Sequence, residues 1–341
     1  MSLLLSICIP TYNRADFLKR TLYYLLEQID FEITEIIISD NASSDNTEEV
    51  IKEYTEHYPC IKYNRNEKNI GLDDNAIKCI KLASGEYVWF CSDDDLPLFG
   101  TFKEIQSAIS SYSPKFIFLN FGCFLDNEKP DNFYKHPYKP AYDKKNIVYY
   151  DGEKMLRDLE PTHFSALIFK RELALKYIPV VEDYGKQNFQ ETRIVYALTH
   201  HLILTNKGPF IFIGRLCLAV RYILAHQCRY KILNAYIIDF ARHYQILRKK
   251  GLINKRTESL LVNRNIKKLP KIILSLKCRE DFNFDTELIK SIIKTYKRYP
   301  LFFIFIYPFF LLPILVLPRK ALIVPYRIGY KIYHNFLRTD Y

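Results

Sequence analysis

Residues 3–121 alternate short apolar runs with segments of helical period, and that order limits the fold more than any other feature. Strands joined through helices are expected to lie parallel in one sheet. Residues 3–9 form a short apolar run that reads as a buried first strand, broken by Pro10-Thr11-Tyr12-Asn13. Residues 15–28 then place Phe17, Leu18, Leu22, Leu25 and Leu26 at helical spacing. Residues 35–39 read as a second strand, and Asp45 with Glu48 as a capping box opening a helix to Tyr58. A short strand at 61–63, a helix at 72–83 closed by Gly85, a strand at 87–91, a helix at 102–111 and a strand at 115–121 follow.

Beyond Leu125 the pattern loosens. Residues 126–150 are polar and aromatic, with Pro130, Pro137 and Pro140, and read as an inserted loop or flap. A helix capped by Asp151 is expected at 151–159, strands at 164–169 and 210–213, and a helix at 189–200. After Tyr222 the chain turns helical and basic, with helical stretches at 230–249, 256–267 and 286–298. Residues 301–317 then contain no charged side chain. The expected organisation is an α/β domain over 1–222, with a ligand-binding half at 1–125 and a second half at 126–222, followed by a basic helical region at 223–341. No internal repeat is visible.

The net charge of +11 draws anions, so phosphorylated metabolites, anionic lipid and nucleic acid all suit its sign. The eight cysteines form no CxxC pair, and several lie inside apolar runs. That favours reduced, buried thiols in a cytosolic protein over disulfides or zinc. Residues 1–5 are apolar, but they are too short for a signal peptide and lack its basic region.

Ligands of open parallel sheets bind at the carboxyl ends of strands. Ile9-Pro10-Thr11-Tyr12-Asn13-Arg14 occupies such an end and has no glycine, which argues against a dinucleotide-binding loop. Asp40, at the end of the second strand, is placed to meet a base or ribose, or to form an Asp-Asn turn. Asn69-Ile70-Gly71 precedes a helix and can present backbone amides, or serve as an ordinary loop. Ser92-Asp93-Asp94-Asp95 carries more weight. Three adjacent carboxylates repel one another and call for a counter-charge. Mg²⁺ and Mn²⁺ take such oxygen ligands together with substrate phosphates, and the metal offsets charge on a departing diphosphate. The alternative is a solvated acidic loop.

The segments SICIPTYNRADFL, IIISDNASSDNT, NIGLDDN and GEYVWFCSDDD together resemble, in order and spacing, the family 2 glycosyltransferases of the GT-A fold. The likeness covers residues 3–125 well and continues weakly to about 215. It is greatest to bacterial enzymes that build O-antigen or capsule repeats, abequosyltransferase-like ones among them. The resemblance implies a Rossmann-like, mostly parallel sheet flanked by helices, with a C-terminal helical region. It implies that Pro10, Thr11, Asn13 and Arg14 line a nucleotide-sugar pocket, that Asp40 contacts the base, and that Asn69 and Gly71 flank it. Family members often carry Asp-x-Asp-Asp at the acidic turn, and this chain has Ser92 at the first place. Alignment on Gly85-Glu86-Tyr87 puts the metal-binding carboxylate at Asp94, with Asp93 nearer the ribose or phosphate and Asp95 a second ligand or support. The general base of an inverting transfer is implied at Glu191, with Asp183 as the other candidate; a helix-start glutamate is the plainer account of Glu191. His163 reads as a structural histidine near the acceptor side.

The implied reaction moves a sugar from a nucleotide-sugar donor, with Mn²⁺ or Mg²⁺, onto a hydroxyl of a lipid-linked glycan in surface polysaccharide synthesis. Nucleic acid is not expected as a partner. Residues 301–317 fall short of the ~20 apolar residues of a spanning helix and are interrupted by Pro308 and Pro313. Lys294, Lys297 and Arg298 precede them, and Arg319, Lys320, Arg327 and Lys331 follow. Basic flanks around an apolar segment suit a broken hairpin in the cytoplasmic leaflet of the plasma membrane, although a buried helix is also compatible. Two rivals use the same residues differently: a nucleotidyl or phosphoryl transferase, which lacks a visible P-loop, and a basic binding module with an inert acidic turn.

Overall fold

The computed structural model describes residues 3–125, 145–188, 194–222, 238–277, 286–318 and 321–323. Two compact units are present, one of residues 1–187 with 192–222, the other of 188–191 with 223–341.

The first unit is built on a nine-stranded sheet of order β3-β2-β1-β4-β8-β6-β9-β5, with β7 paired to β9. Its strands are β1 (Leu5–Thr11), β2 (Thr34–Asp40), β3 (Ile61–Arg65), β4 (Tyr87–Phe90), β5 (Leu96–Pro97), β6 (Phe116–Leu125), β7 (Ile147–Tyr149), β8 (Leu167–Lys170) and β9 (Phe210–Tyr222). The first four are parallel. They are linked by α1 (Ala15–Leu26), α2 (Thr47–His57) and α3 (Leu72–Leu82). β8 enters antiparallel between β4 and β6, while β6 and β9 run parallel. Strands β1, β2 and β4 are buried along their length, which is why they read as unbroken apolar runs rather than alternating ones. Each fully buried leucine or isoleucine here stabilises by about 1.5–3 kcal/mol.

The chain order reverses direction between β1 and β4: β2 and β3 build outward on one side of β1, and β4 lies on the other. Such a reversal opens a crevice at the carboxyl ends of the two strands. Close backbone packing maintains it. A Cβ on Gly85, at the entry to β4, would lie 2.7 Å from the Ser6 amide nitrogen of β1.

The unit is completed by α4 (Thr101–Tyr112), α5 (Gly152–Leu159), α6 (Arg171–Asn188) and α7 (Ile194–Thr205). Asp151 caps α5 as expected, accepting from the Glu153 and Lys154 amides. Several sequence expectations need correction. Asp45 forms no capping box: its carboxylate accepts from the Thr47 amide, and Glu48 pairs with Lys52 and Arg65 instead. Residues Phe164–Ala166 are a 3₁₀ turn, so His163 precedes the strand rather than lying on it. The strand expected at 210–213 runs on to Tyr222 by pairing along the length of β6, with a register shift at Asn120. Helix α6 was not anticipated; Pro179 lies inside it. Of the expected flap, residues 147–149 are strand β7, and 126–144 lie outside the described residues.

The second unit is helical: α8 (Phe240–Lys249), α9 (Lys255–Lys277), α10 (Thr286–Tyr296), a π-helical run (Leu301–Leu311) and α11 (Leu312–Val316). The apolar stretch is one continuous helical run, not the broken hairpin. Pro308 sits inside the π-helical run and Pro313 at the start of α11, and each removes one backbone donor from the helix. Phe302, Ile306, Leu311 and Ile314 are buried, whereas Phe303, Ile304, Phe305, Phe309, Phe310, Leu312 and Val316 are exposed. Among the described residues, no helix is long and apolar enough to cross a membrane.

Candidate active site at the β1–β4 switch point

The acidic turn leaves β4 beside the exit of β1, since the Cys91 amide still bonds the Cys8 carbonyl. All three carboxylates are buried, with Asp93, Asp94 and Asp95 exposed by only 4%, 7% and 3%. Buried charges of one sign need partners. Each carboxylate has a different set.

Asp93 faces β1. Its Oδ2 accepts from the Thr11 hydroxyl at 2.7 Å, and its Oδ1 lies 3.1 Å from Arg14 Nη1. Burial pushes its carboxyl up to about 7, Arg14 pulls it down, and the Asp94 charge adds to the rise. Desolvation opposes the charge on Arg14, yet Asp93 and Asp94 hold that guanidinium more firmly protonated than usual.

Asp94 is the meeting point of two arginines. Its Oδ2 lies 2.6 Å from Arg14 Nη1 and 3.1 Å from Arg221 Nη1. Its Oδ1 accepts from the Ser92 hydroxyl at 2.6 Å. The residue that departs from the usual acidic pattern therefore supplies a donor that orients Asp94, where a further carboxylate would repel it.

Asp95 is turned inward. Its Oδ1 accepts from the Arg221 amide at 2.9 Å, and its Oδ2 from the Ser165 hydroxyl at 2.5 Å, with His163 Nε2 3.2 Å away. Ser165 also accepts from the Ser92 amide, and Trp89 Nε1 donates to the Ser165 carbonyl. From α1, Thr21 reaches the carbonyls of Asp93 and Asp95 at 2.9 and 3.2 Å. The turn is braced from the 3₁₀ turn before β8, from β9 and from α1 together.

The other expected residues gather at neighbouring strand ends. Thr11 lies in register with Asp40, and Pro10 with Ser39. Asn13 adopts a left-handed backbone, φ 53°, a conformation asparagine tolerates. Its amide donates to Ser43 Oγ and its side chain accepts from the Ser44 amide at 2.6 Å, clipping the β1 exit to the β2 exit. Asp40 is fully enclosed and accepts from the Ser43 amide and hydroxyl, Tyr63 and Arg65, so its oxygens are engaged by the protein. Asn69 and Gly71 are held against β2 by Asn41, whose amide donates to the Asn69 side chain and the Gly71 carbonyl. Gly71 has φ 87° and open space around it, so backbone conformation rather than room requires glycine.

Glu191 lies outside the described residues, and Asp183 is an exposed side chain of α6. Sequence reasoning missed Thr21, Ser165 and Arg221. Nothing local in the sequence marks them: Thr21 follows Lys19 and Arg20 in its helix, and Arg221 shares its strand with Arg215.

Among the described residues, no group of three or more His, Cys, Asp or Glu is arranged to cage a metal. The donor chemistry fits a hard divalent ion held by a carboxylate of this turn and completed by substrate phosphates. Asp94 and Asp95, the two residues expected to ligate it, each already accept through both oxygens.

Residues 6–172 match the profile of Glycosyl transferase family 2. The abequosyltransferase RfbV of Salmonella typhimurium is 45% identical over 96 residues, which is 27% of this chain and 28% of that protein. A GalNAc(5)-diNAcBac-PP-undecaprenol beta-1,3-glucosyltransferase of Campylobacter jejuni is 37% identical over 127 residues, 36% of this chain and 39% of its own length. The chain thus spans well under half the length of these curated relatives. Among solved structures, S. aureus TarS 1-349 in complex with UDP-GlcNAc superposes with a TM-score of 0.57 at 15% identity, covering 98% of this chain and 92% of that one. The mannosyltransferase PcManGT from Pyrobaculum calidifontis, in complex with GDP-Man and Mn²⁺, gives 0.52 at 15% identity over 96% and 87%. These likenesses establish the GT-A fold. Residues 6–172 thus form a Glycosyl transferase family 2 domain.

Proposed function

We propose that this protein transfers a sugar from a nucleotide-sugar donor to a hydroxyl of a lipid-linked glycan, with inversion, in bacterial surface polysaccharide synthesis. One observation carries the reading most directly: a buried carboxylate, Asp94, held at the β1–β4 switch point between two guanidiniums. That arrangement suits a diphosphate, whose charge grows as the sugar leaves. Both named relatives are glycosyltransferases, and one names a GalNAc(5)-diNAcBac-PP-undecaprenol acceptor in its own title.

Within this reading, Pro10, Thr11, Asn13, Arg14, Asn69 and Gly71 line the nucleotide side, and Asp93 orients Thr11 and Arg14 towards it. Asp94 would hold Mn²⁺ or Mg²⁺, which supplies electrostatic relief to the departing diphosphate. Glu191 is the proposed base that takes the acceptor proton, with Asp183 as its alternative. Residues 1–125 serve as the donor half, 126–222 as the acceptor half and 223–341 as a membrane-associating region. The exposed apolar residues of the π-helical run and α11 support peripheral attachment to the cytoplasmic leaflet. Purified protein, screened with nucleotide sugars and either ion, is expected to release nucleoside diphosphate and extend a diphosphate-linked glycan. Release of nucleotide without sugar transfer to any acceptor, or an Asp94→Ala protein of full activity, would sink the proposal.

A further inference from the structure

Arg221 is the site residue to which the donor-site reading assigns no role of its own. Its side chain is 8% exposed, its Nη1 meets Asp94 Oδ2 at 3.1 Å, and its guanidinium lies 3.8 Å from the centroid of the Phe17 ring. Its backbone amide bonds Asp95. Arg14 approaches the same Asp94 oxygen from the β1 exit. Two positive groups thus converge on the one oxygen of Asp94 that Ser92 does not engage.

We propose that Arg14 and Arg221 form an exchangeable guanidinium clamp: they hold Asp94 Oδ2 while the site is without donor, and transfer to the diphosphate oxygens when a nucleotide sugar enters. The inference rests on the glycosyltransferase reading and names a regulation of that site. Charge balance drives the exchange. A carboxylate bridged by two guanidiniums is fully compensated and has little to offer another cation. A diphosphate competes for the guanidiniums, which bind phosphate oxygens in the same forked geometry that they use for carboxylates. Asp94 Oδ2 is then released with its negative charge uncompensated, at the moment a divalent ion arrives with the phosphates. Phe17 stacking keeps the Arg221 plane in place while its N–H groups change partner. By linkage, nucleotide and divalent ion must each raise the affinity for the other. The protein would thereby avoid holding a metal in an empty site.

Mn²⁺ binding to the full chain, followed by electron paramagnetic resonance with and without saturating UDP or GDP, tests this. In the wild type, one of the two nucleotides is expected to tighten Mn²⁺ binding at least tenfold. Arg221→Gln should bind Mn²⁺ alone at least tenfold more tightly than wild type, while its affinity for the nucleotide falls and the coupling between the two shrinks. Arg221→Lys, which keeps the charge but not the fork, should keep Mn²⁺ weak yet lose nucleotide affinity. Should Arg221→Gln not fold, the partly exposed Arg14→Gln must show the same direction of change. Unaltered or weaker Mn²⁺ binding in the folded glutamine variant overturns the clamp and leaves the transferase reading standing. Failure of either protein to bind Mn²⁺, even with nucleotide, overturns the clamp together with Asp94 as a metal ligand. Sugar transfer by the wild type, measured alongside, judges the transferase reading separately.

Discussion

Ser92 and Asp95 divide the work around Asp94, and each can be separated by substitution. The Ser92 hydroxyl donates to a charged acceptor, a bond worth about 1.5–3 kcal/mol. Ser92→Ala removes that bond from a buried carboxylate, so it is expected to cost about 1.5–3 kcal/mol of stability and, through the loosened Asp94, roughly tenfold in kcat/KM. Lost stability with unchanged kcat/KM would show that Ser92 merely holds the fold. Ser165→Ala should lower stability with kcat/KM less affected. It removes the 2.5 Å donor to Asp95 and the acceptor for the Ser92 amide, leaving two buried groups short of partners. The expected destabilisation is about 1–3 kcal/mol in chemical denaturation. The acidic turn itself was plain in the sequence, because three adjacent carboxylates demand an explanation. Its counter-charges were not. Arg221 lies more than a hundred residues away in a strand that single-sequence periodicity ended at Ile213, and only the pairing of β9 along β6 carries it to the turn.

Helix and strand junctions set how closely the elements approach, and two glycines test this by different physics. A Cβ on Gly152, at the start of α5, would fall 1.8 Å from the Ile203 carbonyl oxygen of α7. Neither atom can yield without parting the two helices, so Gly152→Ala should destabilise by several kcal/mol, on the order of 3 or more by analogy with severe overpacking. Gly71→Ala meets no atom within 4 Å but must adopt φ +87°. With ψ 165° as well, that backbone lies in a region essentially reserved for glycine, and its expected cost is about 1–3 kcal/mol. Urea midpoints rank the two; equal midpoints would refute the packing account. At this scale, β1–β4, β6 and the four helices up to Phe121 were legible, because local periodicity and buried parallel strands write themselves into the sequence, whereas the two-residue β5 was not. The 3₁₀ turn at Phe164 and helix α6 were not. The turn is imposed by Trp89 and the acidic turn drawing Ser165 inward, and α6 carries a proline that reads as a breaker.

Across the whole first unit, acid should act through two buried groups with distinct windows. His200, on α7, is pushed from 6.5 down to about 3 by burial, partly offset by its hydrogen bond to Pro161. The unfolded chain therefore takes up a proton near pH 6.5 that the folded one refuses, and stability falls from there as pH drops, by about 1.4 kcal/mol per pH unit at most. Glu35 differs. Desolvation pushes its carboxyl up, but Lys62, Ser6 and the Ser84 amide outweigh that and hold it below its ordinary 4.5. Its contribution is complete above pH 4.5 and is lost only as pH falls through the lowered folded value. The Glu35 cluster ties β2 to β1 and to the α3–β4 loop, whereas His200 sits among the buried residues of α7. Urea midpoints of wild type, His200→Gln and Glu35→Gln between pH 7.5 and 3.5 separate the two. His200→Gln should flatten the decline between about pH 6.5 and 4.5 and leave the steeper acid limb, while Glu35→Gln should lower stability throughout neutral pH and soften only that limb. A wild type whose midpoint stays level down to pH 5 would contradict a neutral, enclosed His200 and the packing of α7 that requires it.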